Sequence, residues 1–309
     1  MRKTCIFVLV LVLVLVSSCK DDDGETGYVV NRFISGSDTI EVARYYQNKL
    51  AAVSLTFDDG TLDQYEYAAP QLEKRGFRGT FNVNGHAALH PSALDMDTLQ
   101  IMDLDRRGHE IGSHTWSHMR LTELSFDDVQ IEIDRNDSAV AAWIGHKPYS
   151  LAFPHNARNK TLIRMASAGR VGVRTYETGF GQTYRTSTCE GMCRWMNSLL
   201  SSHEWGVAMY HGMTTGYDHW NDTTQLWRFW DTLKASEDRI WVAPFCEVSA
   251  YTQEAANVKF EMVSSAEKTL VRASSTLEPT LFNHPLTLII KRRGQQHLKE
   301  IQPNDVFEL

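Results

Sequence analysis

The sequence has no surplus of positive charge. Its 309 residues include 31 Lys and Arg against 38 Asp and Glu, which gives a net charge of -7 at pH 7. A short basic cluster, residues 291–293, lies near the end of the chain. Nucleic-acid binding requires a basic patch or stripe that neutralises phosphates. The charge balance therefore argues against a nucleic-acid partner.

An apolar run of membrane-spanning length is also lacking, since residues 6–16 are too few for a comfortable span. This run follows the basic start Met1-Arg2-Lys3 and leads to Val16-Ser17-Ser18-Cys19, which looks like a bacterial lipobox. These features predict a signal peptide over residues 1–18 and lipidation of Cys19. The alternative is a plain secretory signal with an incidental cysteine.

The residues after Cys19 are Lys20-Asp21-Asp22-Asp23, which resemble the export signal of surface lipoproteins in Bacteroidetes-type bacteria. We therefore predict an exported lipoprotein of the outer membrane, held through Cys19 at the cell surface or, as second choice, on the periplasmic face. Residues 19–45 are predicted to form a tether and lead-in.

Cysteine is scarce. Beyond the N-terminal segment, Cys189, Cys193 and Cys246 remain, and an odd number allows one disulfide and one free thiol. The spacing of Cys189 and Cys193 is compatible with zinc, but no second pair accompanies it. A local disulfide or buried thiols are favoured over a second metal site.

Two adjacent carboxylates follow a strand-like run. Residues 51–57 predict a short buried strand, and Gly60 ends it, leaving Asp58 and Asp59 at its tip. Neighbouring side chains on extended backbone point opposite ways. One carboxylate can therefore bind a metal while the other serves as a base. A surface Asp-Asp-Gly turn is the alternative.

Two imidazoles follow a second strand-like run, residues 110–113. The spacing of His114 and His118 suits zinc on a turn that leaves a strand, although ordinary surface histidines can share it. Asp59, His114 and His118 together offer three nitrogen and oxygen ligands. Such a set leaves a coordination position open for water, as catalytic zinc sites do.

A third apolar run, residues 207–210, ends in His211 and Gly212. Proton delivery to a leaving group needs a side chain that titrates near neutrality, and imidazole meets that need. A histidine that merely caps the strand end is the alternative.

The three motifs, in this order, resemble those of the polysaccharide deacetylase family, the NodB-homology carbohydrate esterases. The resemblance covers roughly residues 51–250. It implies a distorted (β/α) barrel and metal-dependent removal of acetyl groups from a glycan. Asp58 would be the general base and His211 the general acid. One divalent ion, with zinc expected, would be bound by Asp59, His114 and His118.

The family's third motif is usually Arg-x-Pro-Tyr, and this chain has Ala152-Phe153-Pro154-His155. In the family that arginine pairs with the base carboxylate, whereas Ala152 brings no charge. We predict that Arg174, which follows the strand-like residues 171–173, supplies the missing cation. The backbone N–H of His155 can still donate to an oxyanion, and its imidazole either lines the pocket or has no chemical role.

Strand-like and helix-like segments alternate over residues 46–255, which predicts a parallel sheet with its chemistry at the carboxyl ends of the strands. Helices are predicted over residues 63–75, 97–107, 125–144 and 223–235, with Asp97 and Ser125 as caps. Further strands are predicted over residues 79–83 and 149–153. Residues 256–309 are predicted to form a small antiparallel β region, which packs on the barrel or binds carbohydrate.

Aromatic residues are plentiful after His211. Tyr217 and Trp220 fall in the polar segment 213–221 and are predicted to stack on a sugar ring. Trp227 and Trp230, three apart in a helical pattern, are predicted to lie in the core.

The predicted function is N- or O-deacetylation of a polysaccharide or oligosaccharide, and a neutral or cationic glycan suits the acidic surface. Two alternatives stay open. The departure at Ala152 could mark a catalytically silent protein that only binds glycan, and the same barrel could hydrolyse a non-sugar amide.

Overall fold

The computed structural model describes residues 29–35, 38–263 and 269–309. The predicted signal peptide, the predicted lipidation site Cys19 and the first part of the predicted tether lie outside the described residues. Within the described ranges, no helix combines the length and apolar character that crossing a membrane requires.

The strands of the described residues are numbered in chain order. They are β1 (Val29–Ser35), β2 (Asp38–Ala43), β3 (Ala51–Phe57), β4 (Thr80–Val83), β5 (Glu110–Ser113), β6 (Ser150–Ala152), β7 (Gly172–Arg174), β8 (Thr178–Gly179), β9 (Trp205–Tyr210), β10 (Ile240–Val242), β11 (Lys259–Met262), β12 (Leu270–Ser274), β13 (Leu286–Arg292), β14 (Gln295–Ile301) and β15 (Val306–Glu308).

The α-helices are numbered in the same way. They are α1 (Ala69–Glu73), α2 (Gly85–Leu89), α3 (Thr98–Arg106), α4 (Phe126–Ile144), α5 (Lys160–Ala166), α6 (Cys189–Ser202), α7 (Thr224–Lys234) and α8 (Phe245–Asn257). Short 3-10 turns cover Tyr46–Asn48, Leu121–Glu123 and Pro154–Asn156, and a π-helical turn covers Gln64–Ala68.

A curled parallel sheet forms the centre of the molecule. Its strands follow the order β7-β6-β5-β4-β3-β9-β8, and β10 pairs with the first half of β3. All seven residues of β3 are buried, because the strand has sheet neighbours on both sides and helices over its face. The prediction of an α/β fold built as a distorted (β/α) barrel is confirmed.

Local signals placed several elements correctly. β3 spans the predicted residues 51–57, and α3 begins after Asp97, whose carboxylate accepts the N–H of Gln100 at 2.9 Å. α4 begins after Ser125, whose hydroxyl accepts the N–H of Asp128 at 3.2 Å. Such caps satisfy amide groups that have no partner within the helix. The helix predicted over residues 63–75 is real, but it opens with the π-helical turn.

A second region consists of two antiparallel sheets, β1-β2-β13-β14 and β11-β12-β15. Residues 29–43 were predicted as part of the tether and lead-in, yet they contain β1 and β2. Phe33, Ile40 and Val42 of these strands share a buried cluster with Tyr251 and Ala255 of α8. The apolar inner face of β2 needs the C-terminal strands to cover it, and the region packs against the barrel through α8.

The three cysteines of the described part, Cys189, Cys193 and Cys246, are free thiols. Of the two arrangements that the sequence left open, the structure has the partly buried thiols and not the local disulfide.

Candidate active site

The predicted chemical side chains meet at one rim of the barrel, where the carboxyl ends of β3, β5, β6 and β9 come together. A cavity of about 560 Å³ opens there. Its lining residues are Asp58, Asp59, His114, His118, Arg120, Phe153, His155, Asn156, Tyr184, Met209, His211 and Tyr217. Parallel strands place their carboxyl ends at the same edge, so motifs far apart in sequence converge.

Asp58 is buried and its carboxylate is held from two sides. The guanidinium of Arg174 binds it through both terminal nitrogens, with Nη1 at 2.8 Å from Oδ1 and Nη2 at 2.5 Å from Oδ2. The amide Nδ2 of Asn82 donates to Oδ1 at 2.8 Å. Burial raises the pKa of this carboxyl, but Arg174 and then His114 outweigh it and lower the pKa to about 2. Asp58 is therefore ionised throughout the neutral range.

The cation beside Asp58 comes from the strand next to the one that carries the family's arginine position. Ala152 on β6 and Arg174 on β7 are direct partners in the parallel pairing. Arg174 thus reaches the carboxylate from one strand further along the sheet, and it also donates to the hydroxyl of Thr56 at 3.0 Å. The structure brings the predicted replacement into contact with the base candidate.

Asp59 leaves the strand direction at once. Its φ of 76° lies in the left-handed region, which non-glycine residues seldom adopt. The two carboxylates were predicted to diverge because of strand alternation, but it is this turn that directs Asp59 toward the imidazoles. Thr115 and His118, with φ of 63° and 58°, share the conformation. Such unfavourable backbone concentrates at functional sites, where packing over-determines it.

Asp59, His114 and His118 form a cluster that fits a divalent cation. One potential ligand atom of each lies within 4.8 Å of the others. The Nε2 atoms of His114 and His118 lie 3.4 Å and 3.1 Å from Asp59 Oδ1. This oxygen is buried and accepts no hydrogen bond from the described residues. A cation bound between these potential ligand atoms would satisfy them.

The protonation of His114 supports that reading. Its Nδ1 lies 2.9 Å from the carbonyl oxygen of Ala152. Since a carbonyl only accepts, Nδ1 donates to it, and in the neutral imidazole the lone pair of Nε2 faces Asp59. Burial lowers the pKa of His114, but the carboxylates of Asp58 and Asp59 outweigh it and raise the pKa, so this position favours a positive charge. A nitrogen, nitrogen and oxygen donor set of this kind suits zinc and similar ions.

His211 follows β9 and faces the same cavity. Its Nδ1 is buried and makes no hydrogen bond within the described residues. Tyr217 packs edge-on against the ring, with 4.9 Å between centroids, and is 66% exposed. Tyr217 therefore lies at the mouth of the cavity, and its role in sugar stacking stays a prediction. Trp220 is not among the residues that line the cavity: it is buried against Tyr210, so its predicted stacking role is wrong.

His155 lies in the 3-10 turn after β6, and its ring stands 4.7 Å from that of His118. Its φ is 55°, another left-handed value in this site. Burial and then His118 lower the pKa of His155, which favours a neutral imidazole at the cavity wall. The ring of His155 lines the cavity, and a chemical role for it stays a prediction.

Some residues of the site were missed by sequence reasoning. Asn82, on β4, is the clearest: an amide between Phe81 and Val83 in a buried strand was a signal that some polar group needed it. Arg120 and Tyr184 line the cavity from loops, and no local pattern marks them.

The fold and the cluster define a class: an α/β barrel with a group of three side chains at its rim that could hold one metal ion. Comparison with known proteins agrees. Residues 46–175 match the family model described as Polysaccharide deacetylase. Over that segment the chain is similar to the polysaccharide deacetylase family.

Two curated relatives match part of the chain. A chitin deacetylase of Arthroderma benhamiae is 34% identical over 36% of this chain and 30% of its own length. The peptidoglycan-N-acetylglucosamine deacetylase PgdA of Listeria monocytogenes is 30% identical over 43% of this chain and 28% of its own length. The chain thus spans less than a third of either relative.

A solved structure supports the fold. A mutant form of the peptidoglycan deacetylase PdaC from Bacillus subtilis aligns with a TM-score of 0.50, over 67% of this chain and 95% of that chain. The sequences are 18% identical, so the likeness concerns the barrel architecture.

Proposed function

We propose that this protein removes acetyl groups from an acetylated glycan by metal-dependent hydrolysis, with zinc as the ion. The observation that carries the proposal is the convergence of the Asp59, His114 and His118 cluster with Asp58 and His211 on one cavity. A carboxylate base, an imidazole acid and a three-ligand cation site are what acyl hydrolysis by an activated water requires.

The bound ion would polarise the acetyl carbonyl and make an attacking water more acidic. Asp58 accepts the proton of that water. Its Oδ1 already receives two hydrogen bonds, from Arg174 and Asn82, whereas Oδ2 receives one. Each carboxylate oxygen has two lone pairs, so Oδ2 retains the site for the proton.

The developing oxyanion needs donors that are already in place. The backbone N–H of His155, at the start of the turn after β6, is our candidate, since this role requires no particular side chain. His211, which lines the same cavity as Asp58, then delivers a proton to the departing sugar nitrogen or oxygen.

The substrate proposal rests on the relatives and on the cavity mouth. The relatives are named for chitin and for peptidoglycan N-acetylglucosamine. Tyr217, exposed beside His211, offers a face on which a sugar ring can stack. We propose a glycan that contains N-acetylglucosamine as the first substrate class, with O-acetyl xylan as second. A catalytically silent binder is disfavoured, because Arg174 supplies the charge that Ala152 lacks.

Acetate release tests the proposal. The purified protein, loaded with zinc, is incubated with chitin oligomers, peptidoglycan and acetylated xylan, and its metal content is measured. We expect about one ion per chain, acetate from one glycan, and loss of both on chelation or in His114→Ala. Zinc binding without acetate release would support the silent binder. Acetate release that survives full removal of the metal would contradict the mechanism.

We also propose that the chain is anchored at the outer membrane through a lipid on Cys19. The lipobox-like sequence before Cys19 and the acidic residues after it support this. Cys19→Ser should release the protein into the soluble fraction in its natural host or a related bacterium. A variant that stays in the membrane fraction would place the anchor elsewhere.

A further inference from the structure

We infer that Gln64 is a positioning residue that sets the general acid His211 against the general base Asp58. The inference rests on the proposed function, because it assigns those two roles. Gln64 is fully buried, at the start of the π-helical turn Gln64–Ala68. It is not among the residues that line the cavity, and its hydrogen bonds go to the main chain of Asp58 and His211, so its effect would pass through those two residues.

One amide group joins the ends of two strands. Nε2 of Gln64 donates to the main-chain carbonyl oxygen of Asp58 at 2.5 Å and to that of His211 at 3.1 Å. An amide NH₂ has two hydrogens, so a single side chain can serve both carbonyls. The two residues are 153 positions apart in the chain, yet their backbones are fixed to the same nitrogen.

The bridge lies where the sheet stops. β3 and β9 are paired up to Phe57 and Tyr210, and the ladder closes with the N–H of Asp58 donating to the Tyr210 carbonyl at 2.9 Å. Beyond that bond the strands no longer hold each other. At this point Gln64 joins the two strand ends, because it donates to the main-chain carbonyl oxygens of Asp58 and His211.

The residue before Gln64 completes the attachment. Asp63 Oδ2 accepts the backbone N–H groups of Met213, Thr214 and Thr215 at 2.7, 2.7 and 3.0 Å. Two consecutive residues at the start of one helix therefore hold this loop: Gln64 binds His211, and Asp63 binds residues 213–215. A π-helical turn is wider than an α-helical turn and orients side chains differently, which allows both contacts, and such turns recur at functional sites.

The test replaces the amide by an apolar group of similar length, Gln64→Met. We expect kcat to fall about a hundredfold, because a displacement of about 1 Å between reacting groups can have that effect. KM and zinc content should stay within about twofold of wild type, since substrate and metal contacts are untouched. Gln64→Asn, which keeps the donor on a shorter side chain, should lose less.

The chain provides a matched control. Gln253 on α8 also donates its Nε2 to main-chain carbonyls, those of Val171 and Ser249, away from the active-site rim. Gln253→Met removes the same kind of bond, and we expect it to leave kcat unchanged. A fall in kcat in both variants would reduce the role of Gln64 to general stability and would overturn the inference.

A double-mutant cycle separates positioning from packing. In the His211→Ala background, Gln64→Met should lower the remaining rate by less than twofold, because there is no acid left to position. A full hundredfold further loss would show that Gln64 acts on something other than His211. Failure of both Gln64→Met and Gln64→Asn to fold would likewise contradict a positioning role.

Hydrogen exchange gives a readout that does not depend on activity. Amides of residues 211–217 should exchange at least tenfold faster in Gln64→Met than in wild type or Gln253→Met. If wild type releases no acetate but exchange is faster in Gln64→Met, the proposed function is wrong and the bridge through Gln64 is supported. Unchanged exchange in an active enzyme would overturn the bridge alone.

Discussion

Two buried carboxylates lie at opposite ends of the barrel strands. Asp58 follows the carboxyl end of β3, and Glu110 is the first residue of β5. Asp58 is bound by a guanidinium and an amide, whereas Glu110 is bound by neutral donors alone. Those donors are the hydroxyls of Thr80 at 2.8 Å and Ser150 at 2.5 Å, and the Cys246 N–H at 2.9 Å.

The pKa values of Asp58 and Glu110 are shifted in opposite directions. Burial raises the pKa of both carboxyls, and at Glu110 the hydrogen bonds from Ser150 and Cys246 do not overcome it. At Asp58 the adjacent guanidinium does, and the pKa falls to about 2. Burial raises the pKa of both carboxyl groups, and only at Asp58 does an adjacent cation outweigh that effect. The ionised form is therefore favoured at the end of the barrel where the proposed chemistry takes place.

The largest expected effect comes from Asp58→Asn. Loss of a general base typically lowers the rate by about a hundredfold to ten-thousandfold. The guanidinium of Arg174 only donates, so the new NH₂ has no acceptor where the carboxylate stood. Zinc content should be retained, because Asp59, His114 and His118 are intact. Activity within tenfold of wild type in metal-loaded protein would refute the base assignment.

Removal of the cation is expected to come next. Arg174→Ala should lower the rate about tenfold to a hundredfold, since hydrogen bonds to a charged group contribute about 1.5–3 kcal/mol. It leaves Asp58 buried without its partner, and breaking such a pair destabilises by about 3–5 kcal/mol. The rate of acetate release measures the first effect, and urea unfolding measures the second.

A charge relocation sharpens this prediction. Ala152→Arg combined with Arg174→Ala moves the guanidinium to the strand partner position, where the family carries it. We expect part of the lost rate to return. No change of rate in Arg174→Ala itself would remove Arg174 from the mechanism.

A third buried carboxylate extends the comparison. Glu254 on α8 accepts the His284 N–H at 2.9 Å, and burial raises its pKa to about 7 from a model-peptide value of 4.5. Between about pH 4.5 and pH 7, Glu254 is therefore protonated in the folded state and ionised in the unfolded state. Stability from this group is complete below about pH 4.5 and is lost as the pH rises through about 7.

Glu254→Gln should remove that pH dependence. At pH 8 we expect a gain in unfolding free energy with an upper bound of about 3.5 kcal/mol, since the pKa rises from 4.5 to about 7 and one pKa unit corresponds to about 1.4 kcal/mol. At pH 4.5 the gain should vanish. Urea unfolding at the two pH values measures it, and equal changes at both would contradict the raised pKa.

The smallest effect is expected for Glu110→Gln, the same carboxylate-to-amide change as Asp58→Asn. The hydroxyl of Ser150 can rotate to accept from the new NH₂, while the carbonyl oxygen keeps the other donors. Acetate release should stay within twofold, and stability should change by less than about 1 kcal/mol near neutral pH. A large loss of activity here would mean that the two ends of the barrel are not functionally distinct.

Part of the fold could be predicted from the local sequence. The seven residues of β3 and the caps Asp97 and Ser125 follow from apolar spacing and from side chains that satisfy free amides. Other features could not be read. β2 pairs with β13, which lies more than two hundred residues away, so the segment that contains β1 and β2 resembled a tether. Trp220 sits in a polar stretch, and only the packing around Tyr210 shows that it is buried.

The sequence by itself determined the chemical inventory: two acids at a strand end, two imidazoles after a second strand and one after a third. It also determined that the base carboxylate lacked the family's arginine. Side-chain type and periodicity are local properties, and they suffice for that. The sequence suggested Arg174 as the replacement, but only the tertiary structure showed that it reaches Asp58 from β7, the strand beside β6, and that Gln64 joins β3 to β9. Those contacts depend on strand order and register, which are properties of the whole sheet.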